Sequence, residues 1–309
     1  MRHARFAAEA ALVLAALLYG ITFPLVHDAL EDITPFAYLV GRFGIALLFV
    51  APAAWIAARG MQDRRLLWRV GIVAGLLLFG GYATQTVGLQ YTSASTSAFV
   101  TGLYVVLTPI VEAVVYRRVP GRAVWAGIVL ATLGLYLLTG ADIHLGRGEV
   151  LTLACAVLFA GHIVYLGAYV RKVPPAAFTA LQLGMVAVLS VPAAAGQGVG
   201  TLTALAVFAV VFTGIACSAI ALPLQLWGQR RIPPARAALI LLAEPVFAGI
   251  AGFINGERLG ALQVSGAVII LVGIAVSELG SASARDTAQS SESLDGEPRD
   301  EEPRDQEMA

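Results

Sequence analysis

The fold is decided by residues 91–138, which read YTSASTSAFVTGLYVVLTPIVEAVVYRRVPGRAVWAGIVLATLGLYLL. The same pattern returns at residues 230–276, which read RRIPPARAALILLAEPVFAGIAGFINGERLGALQVSGAVIILVGIAV. Each copy has an apolar run broken at a proline, a short turn, and a second apolar run spaced by two glycines. Each run is long enough, at 1.5 Å per residue, to cross a hydrocarbon layer of about 30 Å. Two copies of a membrane helix pair predict a protein built from two related halves.

Further matches extend this repeat along the chain. Residues 35–54 align without gaps to residues 175–194 and share two prolines, a glycine and a paired alanine. Each half holds five apolar runs, and because five is odd, the second half enters the bilayer from the opposite side. The sequence therefore predicts an all-α membrane protein of two inverted five-helix repeats, an arrangement found in secondary transporters. The matched positions are Thr108-Pro109 with Glu244-Pro245, Gly127 with Gly266, Gly134 with Gly273, and Gly20 with Gly161.

Ten apolar runs predict ten transmembrane helices. The first follows Arg2 and Arg5 as a signal peptide would, but no small-x-small cleavage site precedes Tyr19, so an uncleaved helix is expected. The ten predicted spans cover about 7–27, 35–58, 69–90, 92–116, 122–140, 148–170, 176–195, 203–227, 233–254 and 260–279.

The distribution of charge predicts the orientation. Alternate connections, counted from the N-terminus, hold 14 basic residues, whereas the other five connections hold only Arg147 and Arg258. Basic residues stay on the cytoplasmic side, so both termini are expected there. The chain from Ser281 onward has nine acids, three arginines and almost no bulky apolar residues. Residues 280–309 are therefore predicted to be a disordered acidic cytoplasmic tail.

The composition excludes several functional classes. The chain has 309 residues and only 13% are charged, against roughly 25% in soluble domains. Its one lysine, Lys172, follows Arg171, so the phosphate-cradling loop of an ATP-driven pump is absent. Cys155 and Cys217 lie in apolar runs, and no cluster has metal-ligand spacing, so neither a metal nor another cofactor is expected. The sequence also lacks an intramembrane aspartate pair, a G-x-S-x-G motif and a filter loop, which disfavours an enzyme or a channel.

Two charges lie deep inside the predicted spans, where charge is costly. Glu244 is close to the middle of the ninth span, and Arg42 is about 10 Å inside the second by helical rise. Glu244 can be a protonatable coupling site, and Arg42 can be an anion contact or a partner of Glu244. The alternative is that both lock helices together, since a Glu-Pro unit also ends a helical hydrogen-bond run.

Uncharged polar and aromatic residues inside the spans are the candidate substrate contacts. Amide, hydroxyl and imidazole groups can bind a solute, but they can equally bind neighbouring helices. The candidates are Tyr19, Tyr82, Gln85, Thr101, Tyr104, His162 and Gln225.

Several short motifs recur in order and in register along the chain: Tyr19-Gly20-x-x-Phe23, Arg42-Phe43, GLQYTSASTSAFVTGLYVVLTP at 88–109, Glu244-Pro245 and Gly256-Glu257-Arg258. In these motifs the chain resembles the EamA-type transporters of the drug/metabolite transporter superfamily. The resemblance implies two repeats over residues 1–140 and 147–279, a bacterial inner-membrane location, and movement of small organic solutes, often outward. It also implies a cavity lined by the first, third, fourth, sixth, eighth and ninth helices. The first copy departs from the family pattern, because it has Arg117-Arg118 where a Gly-Glu-Arg turn is common.

Together these features predict a secondary transporter that exports small metabolites such as amino acids or amines by alternating access. One acid and one arginine cannot neutralise a multiply charged phosphate, so a neutral or zwitterionic solute is expected. Protons are the candidate coupling ion, and the expected partners are the solute and the lipid bilayer, with no nucleic acid. The alternatives are an uncoupled facilitated-diffusion permease and a membrane-embedded enzyme. The sequence leaves the oligomeric state open.

The charge asymmetry yields a topology test. Reporter fusions at either terminus and in the 59–69 connection are expected to report the cytoplasm, and a fusion in the 141–148 connection the outside. A cytoplasmic signal from the 141–148 connection would contradict the inverted ten-helix prediction.

Overall fold

The computed structural model describes residues 2–61, 63–117, 119–138, 146–254 and 260–295, and this part of the chain is helical. Eight described helical stretches are long and apolar enough to cross a membrane, by length and composition. Two shorter apolar helices, Arg122–Leu137 and Ala261–Ser277, fall on the predicted fifth and tenth spans. The eight longer stretches are Ala4–Ala29, Pro35–Arg59, Arg64–Gly88, Thr96–Tyr116, Arg147–Tyr169, Pro175–Gln197, Ala204–Gln229 and Pro234–Ala251.

Three of the predicted spans contain a break in the helix and a fourth contains a π-helical segment, so the described elements outnumber the spans. They are α1 Arg2–Gly20, α2 Phe23–Ala29, α3 Pro35–Arg59, α4 Arg64–Gly88, α5 Ala94–Gly102, α6 Tyr104–Tyr116, α7 Arg122–Leu138, α8 Arg147–Tyr169, α9 Pro175–Gln197, α10 Ala204–Thr213, a π-helical segment Gly214–Ala221, α11 Leu222–Gln229, α12 Pro234–Leu241, α13 Glu244–Ile254 and α14 Ala261–Asp295.

Prolines account for two of these breaks. A proline has no N–H to donate to the carbonyl four residues earlier, and its ring clashes with that carbonyl. Pro24 follows the break between α1 and α2, and Pro245 follows the break between α12 and α13. At the first break the hydroxyl of Thr22 donates to the carbonyl of Tyr19 at 2.7 Å, which satisfies one freed acceptor. The break at Leu103, between α5 and α6, has no proline beside it.

The helix of the third predicted span, α4, begins earlier than the hydropathy of the sequence predicts. The predicted start was residue 69, but α4 begins at Arg64 because Asp63 caps it by accepting from the Leu66 N–H at 2.9 Å. The boundary between the third and fourth spans falls where it was predicted. Ser93 caps α5 by accepting from the Thr96 N–H at 3.1 Å.

The glycine pairs of the two copies meet each other. A methyl group at Gly127 would lie 2.5 Å from the carbonyl oxygen of Gly273, and one at Gly134 would lie 2.6 Å from that of Gly266. Contacts this close admit only glycine, so the backbones of α7 and α14 touch in an antiparallel crossing.

The remaining long helices also pack across the two halves. α3 lies along α9, α4 packs against α8 and α9, and α1 contacts α11, α13 and the π-helical segment. At one end, a two-residue antiparallel bridge joins Ile33 to Gly200, and the Thr203 hydroxyl donates to a carboxylate oxygen of Asp32 at 2.7 Å. Each half therefore buries its apolar faces mainly against the other half.

Some predictions fall at or beyond the limits of the described chain. α14 continues as a helix through Asp295, and residues 296–309 lie outside the described residues. The disordered tail therefore stays a prediction. The 139–145 connection and the Gly-Glu-Arg turn at residues 256–258 also lie outside the described residues.

Candidate functional site

A cavity of about 80 Å³ opens where the helices are interrupted. It lies beside the α1–α2 and α12–α13 breaks and at the start of α6, with α3, α4, α5, α8 and α11 completing its wall. All nine candidate residues from the sequence border this one cavity. They are Tyr19, Tyr82, Gln85, Thr101, Tyr104, His162, Gln225, Arg42 and Glu244.

Arg42 reaches the cavity wall from α3 and is held by three hydroxyl groups. Its Nε donates to the Ser218 hydroxyl at 3.0 Å, its Nη1 to the Tyr38 hydroxyl at 3.4 Å, and its Nη2 to the Tyr82 hydroxyl at 3.2 Å. The guanidinium also stacks on the Tyr82 ring, 4.6 Å from its centroid, and lies 5.2 Å from the Phe43 ring. These neutral partners orient the guanidinium without neutralising its charge.

The π-helical segment supplies one of these partners. Ser218 lies on it, and its first residue, Gly214, packs so closely on α3 that an added methyl group would be 2.8 Å from the Arg42 carbonyl oxygen. Just before the segment, the Thr213 hydroxyl lies 2.8 Å from that of Tyr38. Single π-helical turns occur often at functional sites. Here the wider turn carries Ser218, one of the three hydroxyl partners of Arg42.

Glu244, the acid on the cavity wall, lies in the first turn of α13. The N-terminus of α13 carries partial positive charge, which favours a carboxylate there. Gly20 fixes this helix end, because a methyl group at Gly20 would lie 2.2 Å from the Glu244 carbonyl oxygen. Within the described part of the chain, Glu244 and Arg42 form no ion pair with each other. Arg42 and Glu244 thus border one cavity without contacting each other, and the role of each toward a solute stays a prediction.

Amide and imidazole groups of the cavity wall form hydrogen bonds with neighbouring side chains. Tyr19 donates to Gln225 at 3.1 Å, and the Gln85 amide donates to Thr101 at 3.1 Å. His162 Nε2 lies 2.6 Å from Gln182 Oε1, while the Gln182 amide donates to a backbone carbonyl. The glutamine oxygen therefore accepts, so Nε2 of His162 carries the proton. This bond fits the packing alternative for His162, and its role toward a solute stays a prediction.

Sequence reasoning missed part of the wall. Six of the seven missed positions lie three or four residues along the chain from a predicted one, which is the spacing of one helical face, and Ile163 directly follows His162. That spacing was the available signal. Tyr38, four residues before Arg42 on α3, carried the same signal, whereas Ser218 on the π-helical segment lies at no such distance from any candidate. The missed lining residues are Thr22, Phe23, Leu78, Phe159, Ile163, Leu222 and Leu241.

Metal binding has no geometric support in the described residues. No group of three or more histidine, cysteine, aspartate or glutamate side chains there is arranged to hold a metal ion. Cys155 and Cys217 are both free thiols and buried.

The apolar spanning helices around a cavity lined by both polar and apolar side chains define the class of a multi-pass membrane protein with an internal site. A family model described as the EamA-like transporter family matches residues 7–140 and 146–279. The chain belongs to the EamA-like transporter family, which confirms the resemblance read from the sequence.

Similar proteins agree with this assignment. A protein of Archaeoglobus fulgidus named "Uncharacterized transporter" is 33% identical over 277 residues, covering 89% of this chain and 87% of its own. The Bacillus subtilis protein named "Uncharacterized transporter YwfM" is 23% identical, covering 86% of this chain and 91% of its own. One solved crystal structure superposes with a TM-score of 0.75 at 22% identity, covering 88% of this chain and 96% of that one, and it supports the fold alone. The protein is thus a membrane transporter, and its cavity is the candidate solute site.

The tight contact at Gly20 gives a test with a matched control. Gly20→Ala is expected to destabilise the protein by about 1–3 kcal/mol, because the new methyl group meets backbone that cannot turn aside. Gly161 is the matched position of the other repeat, and a methyl group there would meet only a leucine methyl at 3.7 Å. Thermal unfolding in detergent should therefore show a lowered Tm for Gly20→Ala and little change for Gly161→Ala. Equal Tm values for the two variants would contradict the close packing of α13 on α1.

Proposed function

We propose that the protein is a secondary transporter that exports small amphipathic solutes, such as amino acids or amines, across a bacterial inner membrane by alternating access. The observation that carries the proposal is the placement of Arg42 and Glu244 on one cavity without an ion pair between them. A zwitterionic solute offers a carboxylate to the first and an ammonium group to the second.

The character of the cavity wall limits the charge of the solute. Arg42 is the one cationic side chain among the lining residues and Glu244 the one carboxylate. A phosphate group with two charges would need several basic groups in this setting. Three tyrosines and Phe159 supply apolar surface with hydrogen-bonding edges. A solute with one positive group, at most one negative group and an apolar part fits these contacts.

The glycine crossing supports the inverted-repeat part of the proposal. In the repeat alignment Gly127 corresponds to Gly266, and Gly134 corresponds to Gly273. A two-fold operation that exchanges the halves therefore turns the contact of Gly127 with Gly273 into that of Gly266 with Gly134, and both are close backbone contacts. Interrupted helices around the solute site are also a feature of secondary transporters built this way.

Location and coupling complete the proposal. The excess of basic residues on alternate connections supports cytoplasmic termini. Glu244 borders the cavity, so a proton on its carboxyl group competes with a bound ammonium group, which is a simple means of coupling. An uncoupled permease is the second candidate, favoured by the hydrogen-bonded, neutral setting of the other polar groups.

The solute class is tested by a transport screen. Proteoliposomes holding the full-length protein are offered amino acids, amines, nucleosides and sugar phosphates at one fixed proton gradient. Selective movement of amino acids or amines is the expected result, and Arg42→Gln should reduce transport of carboxylate-bearing solutes more than of the matching decarboxylated amines. Selective movement of sugar phosphates would overturn the proposed solute class.

Energy coupling is tested at Glu244. The Glu244→Gln variant keeps the size and hydrogen bonding of the side chain but cannot release a proton, so transport is expected to lose its pH dependence. The measurement is the initial transport rate across a series of pH values, with Glu31→Gln, an exposed acid far from the cavity, as the control. A Glu244→Gln profile that follows the wild type would favour the uncoupled permease.

A further inference from the structure

We propose that two side-chain contacts, Thr92 with Glu149 and Glu9 with Arg236, are the gates that close the cavity toward the two faces of the membrane. They are called the outer latch and the inner latch, after the faces that the charge distribution predicts. The inference rests on the proposed alternating-access function and assigns residues to its opening and closing steps.

The outer latch joins the start of α8 to the segment before α5. The hydroxyl of Thr92 donates to one carboxylate oxygen of Glu149 at 2.5 Å, and the other oxygen accepts from the Gly146 N–H at 2.8 Å. The second bond holds the carboxylate at its helix end. Beside it, a methyl group at Gly148 would lie 2.8 Å from the Thr92 Cβ and 3.0 Å from the Gly88 carbonyl oxygen. The backbones of the two halves thus approach each other closely at this end.

The inner latch joins α1 to the start of α12. Nη2 of Arg236 lies 3.5 Å from a carboxylate oxygen of Glu9, and Nε of Arg5 donates to the same oxygen at 2.8 Å. The Arg236 side chain is only 4% exposed, so this contact lies between the helices. Beside it, a methyl group at Gly228 would lie 2.7 Å from the Leu12 Cγ and 3.0 Å from the Ala8 carbonyl oxygen.

The two latches occupy matching places in the two halves. In each, a glutamate near the start of one half's first helix reaches the start of the other half's fourth predicted span. In each, a glycine near the end of a third span packs on the carbonyl of the residue just before that glutamate. The glycine is Gly88 at the outer latch and Gly228 at the inner latch, and the carbonyls are those of Gly148 and Ala8. A two-fold operation that exchanges the halves therefore exchanges the latches.

The position of the latches relative to the cavity fits a gating role. Along α1, Glu9 lies roughly 15 Å from Tyr19 on the cavity wall, by the helical rise. Along α8, Glu149 lies roughly 15–20 Å from Phe159 and His162 by the same measure. The cavity is thus bracketed by the two latches.

The chemistry of the contacts permits reversible opening. Hydroxyl, carboxylate and guanidinium groups at a membrane face are hydrated when they separate, so breaking a latch exchanges its bonds for bonds to water. The contact of α7 with α14 differs, because parting two glycine backbones inside the bilayer loses close packing and gains no bond to water in return. The geometry thus assigns the moving contacts to the latches and a fixed contact to the glycine crossing.

The test measures access to the cavity from each face, without relying on transport. Cys155→Ala and Cys217→Ala remove the native thiols, and Tyr104→Cys places one thiol on the cavity wall. A membrane-impermeant thiol reagent is applied to right-side-out and to inside-out vesicles holding the full-length protein. The latch variants are Thr92→Val, Gly148→Ala and Glu9→Gln.

Each latch variant should change labelling from one face only. Thr92→Val and Gly148→Ala are expected to raise the labelling rate from the outer face at least threefold without raising it from the cytoplasmic face. Glu9→Gln is expected to do the reverse. Three matched controls should leave both rates unchanged. Thr132→Val removes a hydroxyl that bonds only within its own helix, and Gly44→Ala adds a methyl group in open space. Glu31→Gln changes an exposed acid.

Hydrogen–deuterium exchange provides a second measurement that keeps the native cysteines. Thr92→Val and Gly148→Ala should speed amide exchange at residues 88–94 and 146–150, whereas Gly44→Ala should not. Labelling and exchange rates in the latch variants equal to those of the controls would overturn the inference, even if the solute screen succeeds. If the latches control access but no amino acid or amine is moved, the proposed solute class fails and the latches stand.

Discussion

The bilayer offers no water to an unsatisfied backbone group, and the structure depends on this constraint. A helix can be interrupted at membrane depth only where the freed groups find a partner or face a polar cavity. The breaks before α2, before α6 and before α13 all border the same cavity. The close contact of Gly20 with the Glu244 carbonyl brings two of these breaks together. The interrupted helices of both halves therefore border one cavity.

The same constraint explains how a buried arginine is tolerated. A guanidinium group has five N–H donors, and each needs an acceptor when water is absent. Three hydroxyls and two aromatic faces meet most of this need while leaving the charge itself uncompensated. A carboxylate in direct contact would neutralise the charge of Arg42, but it would also block the guanidinium group from binding a solute. Holding a charge with neutral dipoles keeps it available to an anionic group of a solute.

Much of this arrangement could be predicted because helical membrane proteins show their pattern in the chain. Eight of the ten predicted spans match described helical stretches long and apolar enough to cross a membrane, and the paired glycines stood out by their spacing. Nine of the sixteen cavity-lining residues were singled out by the cost of buried polar groups and by the family resemblance. The break at Leu103 and the π-helical segment could not be predicted, since no local residue type requires them. Ser218 was missed for a related reason: its contact with Arg42 depends on how closely Gly214 lets two helices approach. Such contacts are set by packing between distant segments, which a single sequence does not reveal.

The crossing of α7 and α14 also bears on how the protein is made. Ribosomes release the first half before the second, so α7 enters the bilayer while its partner does not yet exist. Its glycine stripe, Gly127 and Gly134, must then rest against lipid tails until the last span arrives. Until α14 is inserted, the first five spans are therefore an incomplete assembly whose glycine surface on α7 lacks its partner helix. Assembly of this transporter is completed by its final helix, which makes synthesis through α14 a condition for a closed fold.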